Sequence, residues 1–256
     1  MTEQGYTLLL SKRTRPQDMD PLLEMRRDGI VPFEMPLSGF DLIMINTSAG
    51  KDSQAMTHMV CHEAKRAGVL DRVRMVHADL GEAEWEGCAD LAAEHAKANG
   101  VPLIVTRAQQ LVGHYRKKPI GLLEMVLRRR LMLDKKGKRD APAWPSSTVR
   151  YCTSDLKRGP VRREINELTP RWPDKVLDCK KHVHYRVLNC LGMRADESPA
   201  RSKLKPYSMN PCSNGVREVW DWLPIHKLTV KQVWDINKNL SGLRHHWAYD
   251  VGMPRL

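Results

Sequence analysis

The sequence predicts an α/β fold: a parallel, doubly wound sheet of about five strands flanked by helices, with a helical basic insertion and a small C-terminal lobe. Two observations carry this. Short apolar runs alternate with amphipathic stretches of helical length, and two of those stretches stop at Gly68 and Gly100. Strands joined by crossovers of that length run parallel, with right-handed connections. The 256 residues, 41% of them apolar, suffice for a proper core.

Taken in order, residues 41–46 read as a buried strand. Residues 54–67 carry Ala55, Met56, Met59, Val60 and Ala64 at helical spacing. Residues 72–77 are a second strand, 84–99 a helix, and 101–106 a third strand. A ligand of such a sheet sits at the carboxyl ends of the strands. Residues 111–133 are expected to be helical. The charged run 135–139 and the Pro-bearing segment 141–147 follow, so 107–150 reads as a mobile basic insertion. A helix is expected over 161–168, then a buried strand from Tyr185. Thr229 suits the N-cap of an amphipathic helix, and the tryptophans around it read as core rather than base-stacking platforms. The chain divides into an N-terminal extension (1–39), a core (40–201) and a C-terminal lobe (202–256).

A net charge of +12 and a pI near 9.5 favour anionic partners, nucleotides or nucleic acid, although a solvated basic surface has the same composition. No run approaches the ~18 apolar residues of a membrane span. Lys12, Arg13 and Arg15 precede no apolar stretch of the kind a secretory signal needs, so a cytoplasmic location is expected. The six cysteines form no Cys-x-x-Cys pair and read as reduced thiols, with Cys61, Cys88 and Cys179 as ordinary core or surface groups.

Chemistry concentrates in three places. The first is Ser48-Ala49-Gly50-Lys51-Asp52-Ser53, where an apolar strand breaks into small residues before a helix. Side chains this small let backbone N–H groups converge on an anion, with Gly50 free to take φ > 0 and the helix dipole behind it. Lys51 adds charge if it points inward, and Asp52 must cap the helix or hold a cation. The second is Arg150-Tyr151-Cys152-Thr153 with Lys157 and Arg158, a cationic loop suited to sulfate or phosphate in which Cys152 would be reactive or metal-binding, although taken alone it reads better as a basic helix start with an incidental cysteine. The third is Gly192 to Arg201, bearing Arg194, Glu197 and Arg201, where guanidinium forks bind phosphoryl oxygens and Glu197 could lock one in place. A surface ion-pair loop would look alike.

The loop lacks the Gly-x-x-x-x-Gly-Lys-Ser/Thr spacing of common NTPases. It resembles the PP-loop, Ser-Gly-Gly-x-Asp-Ser, of N-type ATP pyrophosphatases and sulfonucleotide reductases, with Ala49 in place of the first glycine. Together with His77-Ala78-Asp79-Leu80-Gly81, Arg150-Tyr151-Cys152-Thr153 with Lys157, Gly192-x-Arg194-x-x-Glu197-Ser198-x-x-Arg201, and Pro224-Ile225 before Thr229 and Trp234, it makes the chain resemble the phosphoadenosine phosphosulfate (PAPS) reductase family from about residue 40 onward. That family has an adenine nucleotide alpha hydrolase-like fold.

The resemblance implies that Ser48, Gly50, Asp52 and Ser53 cradle phosphates, that Asp79 sits close to the adenosine, and that Lys157, Arg194 and Arg201 face the phosphosulfate or polyphosphate end. It implies ATP or PAPS as ligand, with Mg2+ shared between phosphates. The departures bear on the reaction. The Glu-Cys-Gly-Leu-His tail of assimilatory PAPS reductases is missing, and so is the adjacent cysteine pair of cluster-containing relatives. Other relatives continue past a segment like 249–256 into Ser-Cys-x-x-Cys. The chain is therefore either a truncated or split form, whose tail would complete an iron–sulfur site with Cys152 and Cys190, or a cluster-free variant. No cluster is expected in the chain as it stands, since clusters need four thiolates in reach. Three functions follow as expectations: ATP α–β cleavage with pyrophosphate release, linked to sulfur transfer such as DNA phosphorothioation; PAPS binding or reduction; or a non-catalytic nucleotide-binding subunit of a larger complex. DNA or another nucleic acid, and a sulfur donor, are the implied partners.

Overall fold

The computed structural model describes residues 36–112, 116–146, 149–171 and 184–254. The extension up to residue 35, and Cys179, lie outside the described residues. The chain from Met35 on is one compact unit.

Six strands form the main sheet: β1 (Leu42–Thr47), β2 (Val73–Ala78), β3 (Leu103–Thr106), β6 (Tyr185–Leu191), β7 (Tyr207–Met209) and β8 (Arg217–Trp222). Their spatial order is β3-β2-β1-β6-β8-β7, all parallel except β7, which runs antiparallel to β8 at the edge. The fold is thus the expected α/β class. Strands β7 and β8 come from the segment read as a C-terminal lobe and complete the same sheet.

Helix α1 (Lys51–Arg66) follows β1, and α2 (Cys88–Asn99) leads from β2 towards β3. Asp52 in the first turn of α1 and Lys65 and Arg66 in the last complement its dipole. Gly100, at φ 72, closes α2 with its own N–H on the Lys97 carbonyl and the Val101 N–H on the Ala96 carbonyl. Helix α4 (Gly159–Leu168) continues directly from the coiled turns at 151–158 and packs Val161 and Ile165 on Leu42, Met44, Val187 and Val219, alternate residues of three parallel strands. Buried Arg217 ties β8 to the end of α4 through Asn166 and Thr169. Thr229 caps α5 (Val230–Asp235) reciprocally with Gln232. Of the tryptophans near it, Trp222 is buried, and Trp220 stacks on Tyr207 at 4.7 Å.

The insertion departs from the expected helix over 111–133. Two strands pair antiparallel here, β4 (Ala108–Val112) with β5 (Arg116–Ile120), and only then does α3 (Leu122–Lys135) begin. Two local causes are visible. Pro119 cannot donate in a helix interior. Gly121 is where the chain turns: a Cβ there would lie 2.8 Å from the Leu80 carbonyl oxygen. Ile120 and Ala108 then bury against Leu156, which fixes the strand pair from outside its own sequence.

Candidate functional site

Strand order reverses between β1 and its neighbour β6, and the loop after β1 lies at the carboxyl edge there, where sheets of this type leave a crevice. Loop 48–53 is folded by its own hydroxyls. Ser53 Oγ donates to the Gly50 carbonyl at 2.8 Å and accepts the Ser48 N–H at 3.3 Å, while the Ala49 N–H donates to Thr47 Oγ1 at 3.1 Å.

Gly50 does not take the positive φ expected of it. It is extended (φ −77, ψ 162) as the residue before α1, and Ala49 takes φ 57 instead. The Ala49 methyl is fully buried among Cys88, Leu91 and Ala92, which holds the reversal one residue earlier. A left-handed alanine costs about 1–2 kcal/mol. Losing the buried methyl costs about 0.8 kcal/mol, and the looser unfolded chain of a glycine about 0.4–1 kcal/mol more. Ala49→Gly is therefore expected to leave stability within about 1 kcal/mol of wild type in urea unfolding. Ala49→Val, β-branched at positive φ with no space around it, is expected to lose upward of about 2 kcal/mol.

The first four N–H groups of this helix start, from Gly50 to Ser53, have no intrahelical partner. The Lys51 N–H is taken by the Tyr249 hydroxyl at 3.0 Å. Lys51 itself is 4% exposed; its Nζ donates to the Pro254 carbonyl at 3.0 Å, lies 3.2 Å from Asp52 Oδ2, and rests over the Tyr249 ring. Asn237 holds the Lys51 carbonyl. The segment around 237–254 thus fastens onto the start of α1. Sequence gave no hint of Tyr249 in this place, since the partners lie 198 residues apart.

Asp52 is held by cations. Arg194 Nε donates to its Oδ1 at 2.5 Å, and Arg194 Nη1 donates to Asp196. Burial would lower the Arg194 pKa, but Asp52, then Asp196, outweigh it and push it up. The Arg194 N–H donates to Glu197, which in turn pairs with Arg201. Burial would raise the Glu197 pKa; that N–H and Arg201 reverse the effect and hold it down. The segment comes close because of Gly192, where a Cβ would lie 3.3 Å from Ser53 N and Cα. The structure therefore brings Ser48–Ser53, Arg194, Glu197 and Arg201 together. Arg194 reaches the loop through Asp52, with its Nε and Nη1 committed to carboxylates.

Lys157 is exposed, in the turn before α4. Cys152, half-buried, packs on the cluster of Ala108, Ile120 and Leu156, together with Leu80 of the loop after β2. In that loop, Asp79 accepts both Nε and Nη2 of Arg107 (2.9 and 2.7 Å) and the Gly81 N–H (2.6 Å). Partial burial alone would raise its pKa, and these donors hold it down instead.

His77, fully buried at the end of β2, joins this loop to the first. Its Nδ1 lies 3.1 Å from the Thr47 carbonyl and its Nε2 3.1 Å from Glu84. Burial pulls its pKa down, but Glu84 more than compensates, and the net shift is upward. The folded state therefore keeps a proton that the unfolded chain gives up near pH 6.5. This contribution is fully present below about pH 6.5 and is lost as pH rises through the folded pKa. His77→Gln is expected to cost about 1–3 kcal/mol at pH 6 and to flatten the fall of the urea midpoint above that pH.

A polar ladder crosses the sheet just below the loops: Asn46 donates to Asn189 (2.7 Å), Asn189 to Asp221 (2.6 Å), and Asn210 to Asp221 (2.9 Å). Asn46, Asn189 and Asp221 lie on the strand face that packs on α4, continuing the rows of Met44, Val187 and Val219. Its signal in the sequence was an asparagine directly after an apolar run in each of two strands.

Among the described residues the thiols do not assemble into a metal site. Burial pushes Cys61 and Cys88 up to about 12, and Cys190, wholly enclosed in β6, well above the usual thiol range. Among the described residues no three His, Cys, Asp or Glu side chains come together as a metal site. These residues do not fit a cluster. Nor does Asp52, with an oxygen on each of two cations, fit a magnesium ligand.

No family model matches the chain, and no curated protein matches it. Among solved structures it is similar to U34-tRNA thiolase NcsA from Methanococcus maripaludis with its 4Fe-4S cluster, at 12% identity and a TM-score of 0.37, over 88% of this chain. The chain spans 64% of that chain's length. No helix among the described residues is long and apolar enough to cross a membrane.

Proposed function

We propose that this chain is a PP-loop enzyme of the PAPS reductase type that binds an adenine nucleotide and cleaves the α–β bond of ATP, adenylating a substrate and releasing pyrophosphate, in the service of sulfur transfer. One observation carries the reading. The loop Ser48–Ser53 stands at the strand-order reversal beside β6, with the start of a 16-residue helix directly behind it. Magnesium-bound ATP is the substrate, and its polyphosphate lies on the N–H groups of Gly50, Asp52 and Ser53. Negative charge grows on the bridging oxygen as the α–β bond breaks, and fixed amide dipoles stabilise it without reorganising.

Arg194 is a positioning residue: it holds Asp52, and through it the first turn of α1. Lys157, exposed nearby in sequence to Cys152, and Arg201 supply cations to the departing pyrophosphate. Asp79 and its loop take the adenosine side.

Calorimetric titration with magnesium-ATP, and separately with PAPS, tests this on wild type and Ser53→Ala, followed by assay of pyrophosphate release. ATP binding that weakens in the loop variant, with pyrophosphate formed, supports the reading. Preference for PAPS would replace it with the reductase reading. ATP binding without any cleavage would leave a nucleotide-binding subunit, and binding of neither ligand would overturn the proposal.

A further inference from the structure

The charge of this protein is not spread evenly. Residues 116–139 hold ten lysines and arginines against two acids, so +8 of the net +12 falls in 24 residues. They form the β5 edge of the strand pair and helix α3. Lys118 is paired with Glu124 and Arg130 with Asp134, whereas Arg128, Lys135, Lys136, Lys138 and Arg139 are exposed on or just past α3.

This arm is built rather than loose. Arg130 Nη1 donates to the Ala141 carbonyl, the Tyr151 hydroxyl donates to the Ala143 carbonyl, and the Arg129 guanidinium lies over the Tyr151 ring. Those bonds pin the segment after α3, in which Trp144, five residues past Arg139, is 57% exposed. The other end of α3 abuts the candidate site: the Leu122 N–H donates to the Leu80 carbonyl, and Gly121 sits directly against Gly81. Exposed Lys157 and Arg158 follow Leu156, which is buried under the strand pair.

We infer that this arm is a docking surface for the phosphate backbone of a polynucleotide with unpaired bases, one of which stacks on Trp144. A cationic track interleaved with an exposed indole is the chemistry that single strands require: charge for the backbone, a π-face for a base of any identity. A purely duplex ligand would leave the indole unused. The surface stands on its own observations. That the docked strand is also the acceptor of the activated group rests on the function proposed above, because the arm ends at the loop assigned to the nucleotide.

The test is fluorescence anisotropy of the full chain with a labelled single-stranded 20-mer, as DNA and as RNA, at several salt concentrations. The variants are the quadruple Lys135→Gln, Lys136→Gln, Lys138→Gln, Arg139→Gln, and Trp144→Ala; all five side chains are exposed. The quadruple variant is expected to bind at least tenfold more weakly, with a salt slope shallower by about 2–3, and Trp144→Ala about tenfold more weakly. The stronger of the DNA and RNA arms names the source. Equal binding by wild type and the quadruple variant would overturn the inference. So would displacement of the 20-mer by polyglutamate as readily as by unlabelled strand, since the surface would then fit an acidic polypeptide. Pyrophosphate release stimulated by the 20-mer in wild type but not in the quadruple variant supports the acceptor clause. Strand binding that needs the arm, in a protein that releases no pyrophosphate, would keep the surface and sink the catalytic reading.

Discussion

Arg194→Met is expected to destabilise the protein by about 3 kcal/mol, a fall in melting temperature of roughly 6–12 °C for a chain of this size. Arg194 is 3% exposed, and its guanidinium bonds two carboxylates, Asp52 across the site and Asp196 beside it. Removing it leaves Asp52, among the described residues, with Lys51 at 3.2 Å. The cost is that of a largely buried carboxylate left with one of its two cations, rather than the net worth of the pair. Arg194→Lys keeps the charge but not the fork that spans both acids, so its loss is expected to be smaller, about 1–2 kcal/mol. Pairing Arg194→Met with Asp52→Asn in a double-mutant cycle should recover much of the loss, because the stranded charge is gone. Additive losses would mean that the two residues stabilise the fold separately. On the functional reading, both single variants weaken ATP binding although Arg194 has no fork left over for phosphate.

What the sequence disclosed and what it hid differ by range. Loop 48–53 was legible because its signal is local: an apolar strand, then small residues, then a helical period. The Thr229 cap was legible for the same reason. The pairing of β4 with β5 was not. Its strands show no clean alternation, and what holds them is a pairing register and burial against Leu156, more than 30 residues on. The positive φ at Ala49 was misplaced onto Gly50 because glycine is the residue that tolerates it best, while the decisive contact is with Leu91 and Ala92 of α2. The Arg194–Asp52 pair spans 142 residues, and the Lys51–Tyr249 bond 198. Neither end carries a local mark of its partner. The arginine was found as a cation of the site, but its task of holding the loop's own aspartate could be read only from the fold.

Gly192→Val tests how far that arrangement depends on backbone contact. Gly192 is not in the left-handed region, so its need is for space and not for conformation. Its added Cβ would lie 3.3 Å from Ser53 N and Cα and 3.4 Å from the Asp52 carbonyl carbon, all of them backbone atoms. Backbone at a helix start cannot swing away as a side chain can, so the β6 loop must move off α1. Overpacking of this kind costs about 1–3 kcal/mol. Gly192→Ala, with no γ carbons, should fall at the low end. On the proposed function, the larger effect is expected on the site. A shift of about 1 Å in the loop carrying Arg194 misaligns the Asp52 pair and the first-turn amides together, and displacement on that scale costs about 100-fold in rate. Chemical denaturation and pyrophosphate release measured on the same preparations separate the two effects. Activity that falls only in proportion to the folded fraction would mean that the close approach serves packing alone. A folded Gly192→Val protein with its catalysis gone would tie the glycine to the geometry of the loop.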